Sequence, residues 1–241
     1  MNKLAVNIFL VLLTIPYSEA QENYGSLLNT MISNVEKMVI DTQEDTGIDE
    51  LDDGVIEAIK KVPRHQFLPS IYKNYAYENR PLPIGKNQTI TKPYIIYLML
   101  HLAKISKDSI VLEVGTGSGY QAAISAQLAR HVYTIEIIES LGRNAQKVLH
   151  KLGYKNITVQ IGDGYNGWSE HAPFDVIIVT ASSEKIPQPL INQLKPGGRL
   201  IMPLGAQTHI QSLQILVKDQ DGKLSKRDVL PVSFSPLTRE N

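Results

Sequence analysis

Apolar residues recur along the chain at two different spacings, which predict helices and strands. A spacing of three to four residues from Leu28 to Val39, and again from Val55 to Ile59, predicts two N-terminal helices. Two prolines, Pro63 and Pro69, then stop helix propagation. Residues 70–94 are rich in Tyr, Pro and Gly, and we predict irregular structure there. An irregular segment of that length inside a compact domain is usually functional.

From Tyr94 onward, helices and short apolar strands alternate. The predicted helices cover residues 94–104, 120–129, 140–152 and 187–194, and the predicted strands cover 110–114, 132–137, 157–161, 174–180 and 199–203. This alternation predicts an α/β fold with a doubly wound, Rossmann-like parallel sheet, whose ligands bind at the carboxyl ends of the strands. Two last strands, 212–217 and 229–234, are joined by a turn and predict a C-terminal antiparallel addition.

The first twenty residues resemble a secretory signal peptide. Lys3 precedes an apolar run from Leu4 to Ile15, and Ser18 and Ala20 stand where a cleavage site needs small residues. The run is short for a membrane span, which needs about 20 apolar residues. We therefore expect cleavage after Ala20, export to the periplasm or medium, and no stable membrane association afterwards. The alternative is an apolar helix packed on a cytoplasmic domain.

Composition narrows the function classes. The chain has 241 residues, of which 43% are hydrophobic and 20% charged, as expected for one domain over residues 21–241. Within it, 21–105 hold the N-terminal helices and a substrate loop, and 106–241 hold the cofactor-binding sheet and last strands. Lys plus Arg equals Asp plus Glu at 24 each, which argues against nucleic acid as a partner. Cysteine is absent, which excludes disulfides and thiolate nucleophiles, and without an evident interface segment we expect a monomer.

A glycine-rich loop follows the strand at 110–114. The sequence VLEVGTGSGY spaces its glycines as GxGxG, whereas a dinucleotide fold ordinarily has GxGxxG. Glu113 precedes the first glycine by two positions, where it repels phosphate and favours a cationic ligand such as S-adenosylmethionine. An ordinary tight turn is the alternative, and a nicotinamide dehydrogenase fits less well. The predicted cofactor residues of this loop are Glu113, Gly115, Thr116, Gly117, Ser118 and Gly119.

Three further strand ends carry residues that suit an adenosyl ligand. Glu136 ends the second strand, where a carboxylate accepts hydrogen bonds from both ribose hydroxyls. Asp163, beside Gly164, suits the adenine amino group, although an Asx-turn alone also explains an Asp beside Gly. Thr180 ends the fourth strand, where the methyl acceptor is expected. Methyltransferases of nucleobase amines typically have Asn or Asp, then Pro-Pro and an aromatic, at that end, and this chain does not.

The acceptor decides whether the reaction needs a base. A carboxylate, with a pKa of about 4, is already ionised at pH 7, whereas an alcohol or ammonium must lose a proton. The six histidines are scattered and show no metal-ligand spacing, so we predict no metal site and see no dedicated base. This pattern is consistent with a carboxyl acceptor and leaves a hydroxyl acceptor open.

Several longer segments resemble the protein-L-isoaspartate O-methyltransferase family. They are VPRHQFLP, PIGKNQTITKPY, VLEVGTGSGYQAA, GDGYNGW, APFDVIIVTAS and LKPGGRLIMPLG, and the similarity runs from about Asn34 to the C-terminus. The Gln-Thr-Ile segment is more specific than the glycines, because the broad methyltransferase fold does not share it. The resemblance implies methylation of the α-carboxyl of L-isoaspartyl residues in damaged proteins, with S-adenosylmethionine as the cofactor.

The resemblance also implies site residues. Gln88, Thr89 and Ile90 would bind the substrate peptide together with Thr180 and Pro236. Thr91 stands where bacterial members commonly have the active-site serine, and its alternative role is that of a cap for the following helix. Phe234 precedes Ser235 and Pro236, where the family usually has Val before Pro-Leu.

Two other functions stay open on the sequence alone. One is methylation of another small carboxylate or hydroxyl. The other is an exported binding domain without turnover, since S-adenosylmethionine is made in the cytosol.

Overall fold

The computed structural model describes residues 17–206 and 209–239, with side chains from residue 24 onward. Its helices are α1 (Tyr17–Asp41), α2 (Gln43–Thr46), α3 (Asp53–Lys61), α4 (Pro93–Ala103), α5 (Tyr120–Leu128), α6 (Glu139–Lys151) and α7 (Gln188–Gln193). Its strands are β1 (Leu82–Gly85), β2 (Gln88–Ile90), β3 (Ile110–Val114), β4 (His131–Glu136), β5 (Ile157–Ile161), β6 (Phe174–Val179), β7 (Leu194–Leu204), β8 (Gln211–Lys218) and β9 (Leu224–Val232).

The main sheet has the order β5-β4-β3-β6-β7-β8-β9, and this confirms the predicted doubly wound fold. Strands β3 to β7 pair in parallel, and β8 and β9 add to the edge in antiparallel fashion. The apolar side chains of β6 are buried, as expected for a central parallel strand covered on both faces. The change of strand order at β3 and β6 creates the crevice where such sheets bind ligands.

The N-terminal helices α1 and α3 pack on the helices that flank the sheet, α1 on α4 and α3 on α4 and α5. Met31, Val35 and Val39 of α1 are buried in the core, at the helical spacing that the sequence shows. Asp52 caps α3, because its Oδ1 accepts a hydrogen bond from the Val55 N–H at 3.1 Å. Residues 1–16 of the predicted leader lie outside the described residues. Within the described part of the chain, no helix has the length and hydropathy of a membrane span.

Residues 82–90 form a β-hairpin, so the prediction of irregular structure over 70–94 was wrong there. Strands β1 and β2 pair Leu82 with Ile90, and the turn between them holds Lys86 and Asn87 at φ of +53° and +56°. Two consecutive positive φ values match the twist of a two-residue hairpin turn. The sequence lacks the Asn-Gly or Asp-Gly pair that usually marks such a turn, so the hairpin was missed.

The last strand begins earlier than predicted. β9 covers Leu224–Val232 rather than 229–234, and its first half is the polar run Ser225 to Asp228. These residues are exposed but pair in register with β8, for example Ser225 with Val217. Backbone pairing at the sheet edge therefore extends the strand where the apolar pattern has ended.

Candidate active site

A cavity of about 300 Å³ opens at the carboxyl ends of β3, β4 and β6. Its walls are formed by the glycine-rich loop, the β1–β2 hairpin and a C-terminal segment, residues 235–238. Twelve of the predicted site residues line it: Gln88, Thr89, Ile90, Thr91, Gly115, Thr116, Gly117, Ser118, Glu136, Gly164, Thr180 and Pro236. The fold therefore brings residues from both halves of the domain to one place.

Gly115 forms part of the cavity wall with its backbone. Its φ is +99°, and a Cβ there would lie 2.2 Å from Thr180 Oγ1. The Thr180 hydroxyl, just after β6, donates to the Gly115 carbonyl at 2.7 Å and so fixes the position of the loop. A side chain at this position would break that contact and strain the backbone.

Gly119 is not among the residues that line the cavity, and its cofactor contact stays a prediction. It lies at φ of +85° immediately before α5, and a Cβ there would meet Leu149 of α6 at 3.2 Å. The third glycine thus allows the loop to turn into α5 and lets α6 pack closely.

Glu113 is buried and is not among the residues that line the cavity, so its contact with the ligand stays a prediction. It pairs in register with Thr134, whose hydroxyl donates to Glu113 Oε2 at 2.7 Å, while Oε1 has no partner. Burial raises the pKa of Glu113 to about 8. The hydrogen bond from Thr134 opposes this rise, whereas the negative charge of Glu136 adds to it. The side chain is therefore mostly neutral at pH 7.

Glu136 is the single carboxylate among the residues that line the described cavity. Its Oε2 accepts from the Gly117 N–H at 2.7 Å, and its Oε1 accepts from the Ile138 N–H at 2.9 Å. The two backbone donors hold the carboxylate in one orientation at the end of β4. Each oxygen keeps a further lone pair for a hydroxyl donor, which fits the predicted contact with a ribose.

Asp163 lies beside the cavity and is already engaged. Its Oδ1 accepts from the Tyr165 N–H at 2.9 Å, so the Asx-turn alternative is observed, and its Oδ2 accepts from Arg239 Nε at 3.1 Å. The Arg239 guanidinium also stacks over the Tyr165 ring, 4.0 Å from its centroid. Gly164, and not Asp163, lines the cavity.

The C-terminal segment supplies a wall that sequence reasoning largely missed. The Ser182 N–H donates to the Ser235 carbonyl and the Leu237 N–H donates to the Ser182 carbonyl, each at 2.8 Å. This bridge fastens the segment to the end of β6, and Ser235, Pro236, Leu237 and Thr238 line the cavity. Only the Pro-Leu pair of the family resemblance pointed to it.

Gln121 is a second residue that was missed. It lines the cavity and is buried, and neither its amide oxygen nor its amide nitrogen has a partner among the described residues. A buried amide without partners indicates a polar ligand group, because such groups are rarely left unpaired. No Lys or Arg is among the residues that line the described cavity. A ligand with a hydroxylated ribose and a cationic centre therefore fits this lining.

Thr91 lies at the cavity as predicted, and its alternative role as a helix cap was wrong. The residue that precedes α4 is Lys92, and no side-chain bond caps the helix there. The Thr91 carbonyl instead accepts from Arg64 Nη2 at 2.8 Å.

Within the residues that the structure describes, no group of three or more His, Cys, Asp or Glu could hold a metal ion.

A family model for protein-L-isoaspartate(D-aspartate) O-methyltransferase matches residues 33–241. The chain belongs to this family. A relative from Syntrophobacter fumaroxidans named protein-L-isoaspartate O-methyltransferase 2 is 48% identical over 244 aligned residues, or 99% of each chain. Another of that name, from Polaromonas sp. strain JS666, is 54% identical over 208 residues, or 86% of this chain and 99% of the relative.

Solved structures of the same family have this fold. One, a protein-L-isoaspartate O-methyltransferase, aligns with a TM-score of 0.75 and 26% identity, covering 88% of this chain and 65% of its own. A protein of this family from Plasmodium falciparum, solved with S-adenosyl-L-homocysteine, aligns at 0.73 and 23% identity, over 90% of this chain and 99% of its own. The chain is thus an S-adenosylmethionine-dependent methyltransferase of isoaspartyl residues in damaged proteins.

Proposed function

We propose that the cavity methylates the α-carboxyl of L-isoaspartyl residues by holding the two reactants in line, without a general base. One observation carries this proposal: the segment Gln88 to Thr91 and the glycine loop share a cavity in which Glu136 is the only ionisable residue among the described lining residues. A carboxylate acceptor is already a nucleophile at pH 7, so positioning and exclusion of water are what the protein must supply. A hydroxyl acceptor would need a base that this lining lacks.

The cofactor end is formed by Glu136, Gln121 and the backbone of the glycine loop. Glu136 would accept from the ribose hydroxyls, and the unpartnered Gln121 amide would pair with a polar group of the methionine part. When bound, S-adenosylmethionine supplies a methyl group on a sulfonium, which leaves as a neutral thioether. The closely packed backbone at Gly115 and Gly117 lets the ligand approach to van der Waals contact.

The acceptor end is formed by the hairpin and the C-terminal segment. Thr91, with Gln88 and Thr89, offers neutral hydrogen-bond donors that would hold the acceptor carboxylate without protonating it. Pro236 lies on the same cavity and would limit the width of the peptide site. The threonine hydroxyl would do the work of the serine in bacterial relatives, with its methyl group fixing the rotamer.

The decisive experiment compares an isoaspartyl peptide with its aspartyl twin, using labelled S-adenosylmethionine. We expect incorporation into the isoaspartyl peptide alone. Thr91→Ser should keep most of this activity, and Thr91→Val, which removes only the hydroxyl, should lower kcat/KM by about tenfold to a hundredfold. Equal labelling of both peptides, or of neither, would refute the proposed function.

We further propose that the chain is exported after cleavage at Ala20 and acts as a monomer free of the membrane. The support is the apolar run between Lys3 and Pro16 with small residues at 18 and 20. Mass determination of the protein from fractionated cells tests this, because cleavage predicts a mature chain that begins at Gln21. A full-length chain in the cytosolic fraction would refute export, and sedimentation of the purified protein checks the monomer.

A further inference from the structure

Arg64 is the largest charged side chain that the protein buries completely. It belongs to the VPRHQFLP segment, to which the proposed function assigns no role, and its exposed fraction is 0%. None of the ion pairs among the described residues includes it. A buried guanidinium without a counter-charge is costly, because its lost hydration is not compensated by an opposite charge.

Arg64 contacts one residue that lines the cavity, Thr91, and two residues that do not, Ala76 and Tyr120. Nε donates to the Ala76 carbonyl at 2.7 Å, and Nη2 donates to the Thr91 carbonyl at 2.8 Å. The guanidinium also lies 4.8 Å from the centroid of the Tyr120 ring, at the start of α5. Tyr120 is followed by Gln121, which lines the cofactor end. The cation therefore sits directly behind the acceptor segment and beside the cofactor loop.

One donor of Arg64 remains unused. Nη1 is buried and makes no hydrogen bond of ordinary geometry with the described residues, although the Tyr120 hydroxyl lies near the guanidinium. Burial lowers the pKa of the guanidinium to about 10, which still leaves it charged at pH 7. The cavity lining itself holds no cationic side chain, although the acceptor is an anion. Arg64 is thus a buried charge without an opposite charge beside it, and it contacts the backbone of Thr91, where the proposed function places the acceptor carboxylate.

We propose that Arg64 is a positioning residue of the acceptor site: it fixes the Thr91 backbone against the cofactor, and its buried charge selects an acceptor that carries a carboxylate. This inference rests on the proposed function, since it assumes that the acceptor binds at Thr91. Arg64 does not touch the reacting atoms and acts through the Thr91 peptide. The counter-charge that the folded protein lacks arrives with the substrate.

The test measures how strongly the protein prefers a peptide with a charged acceptor group over one with a neutral acceptor group. Two peptides are compared in complex with S-adenosylhomocysteine, one with the free isoaspartyl α-carboxylate and one with the neutral α-carboxamide. Calorimetry gives the ratio of their dissociation constants for the unmodified protein, Arg64→Met and Arg64→Lys. We expect Arg64→Met to lower the carboxylate preference by about tenfold, and Arg64→Lys to keep most of it, because it keeps the charge.

Two controls separate this role from general support of the fold. The affinity for S-adenosylhomocysteine should change less than about threefold in each variant. Arg199→Met is the control, because Arg199 also donates to a backbone carbonyl, that of Leu102 at 3.3 Å, but is only half-buried and does not line the cavity. It should leave the preference unchanged. If Arg64→Met does not bind S-adenosylhomocysteine, Arg64→Gln takes its place with the same criteria.

Hydrogen exchange of the ligand-free protein gives a readout that needs no substrate. Exchange in residues 88–92 should be faster in Arg64→Met than in the unmodified protein, because the bond to the Thr91 carbonyl is lost. An unchanged exchange rate, or an unchanged carboxylate preference in an enzyme that methylates isoaspartyl peptide, would overturn this inference. Absence of isoaspartyl methylation in the unmodified protein would instead refute the proposed function.

Discussion

Replacing Glu113 with Gln should change the pH dependence of stability. Burial raises the pKa of Glu113 to about 8 from an ordinary value of 4.5, so the folded protein keeps a proton that the unfolded chain releases. The stability that this proton provides is full below about pH 4.5 and is lost as the pH rises to about 8. Gln stays neutral throughout and removes this loss.

The structure sets the size of the effect. At about 1.4 kcal/mol for each unit of pKa, the shift corresponds to about 5 kcal/mol as an upper bound, which relaxation of the interior reduces to roughly 3 kcal/mol. Gln also keeps the bond that Glu113 Oε2 accepts from Thr134. Its amide group replaces an oxygen that has no partner, and this should cost about 1–2 kcal/mol at every pH.

Urea unfolding at pH 5, 7 and 9 gives the free energy of unfolding of Glu113→Gln and of the unmodified protein. The titrations of all other groups cancel in the difference between the two. The variant should be slightly less stable at pH 5 and more stable at pH 9. Glu170→Gln, at an exposed position, is the control and should give a flat difference. A flat difference for Glu113→Gln as well would refute the buried, neutral state of this carboxyl.

Three further changes test the cavity by the affinity for S-adenosylhomocysteine and by the rate at which it dissociates. Gly115→Ala should weaken binding by about a hundredfold or more, because its Cβ would lie 2.2 Å from a hydroxyl at φ of +99°. Glu136→Gln should weaken binding by about tenfold to a hundredfold, since one of its two backbone donors loses its acceptor. Arg239→Gln should speed dissociation a few-fold by freeing the C-terminal segment from Asp163.

Two matched substitutions serve as controls for Gly115→Ala and Arg239→Gln. Gly162→Ala should be tolerated, because a Cβ there meets no atom closer than 4.0 Å. Arg143, like Arg239, is exposed and forms an ion pair, with Glu139 at 2.6 Å, but it lies away from the cavity, so Arg143→Gln should not change dissociation. Equal effects of Gly162→Ala and Gly115→Ala, or of Arg143→Gln and Arg239→Gln, would contradict the assigned positions.

The fold was predictable because its strands follow the apolar pattern closely. β3, β5 and α5 lie within a residue of their predicted bounds, since buried parallel strands and their helices need continuous apolar runs. The β1–β2 hairpin and the first half of β9 were not predictable in this way. Their backbone is held by pairing with a neighbouring strand, and the polar residues Ser225 to Asp228 carry no periodic pattern.

The candidate site was predictable where backbone geometry dictates the residue type. Gly115 and Glu136 fall at strand ends, and their spacing alone indicates a ligand. The burial of Glu113 was not predictable, because the apolar residues of β3 occur on both faces of the strand and so do not distinguish them. Arg64 and Gln121 were missed because their roles come from burial and from unpaired atoms, which only the packed structure shows.

The walls of the cavity come from distant parts of the chain. Gln88 to Thr91 precede the main sheet, and Ser235 to Thr238 follow its last strand. Contacts between segments so far apart in the chain depend on the assembled sheet that lies between them. Affinity for the cofactor product is therefore a reporter of complete folding. Damage that locally unfolds either of these two segments would remove the activity of this repair enzyme before the rest of the domain unfolds.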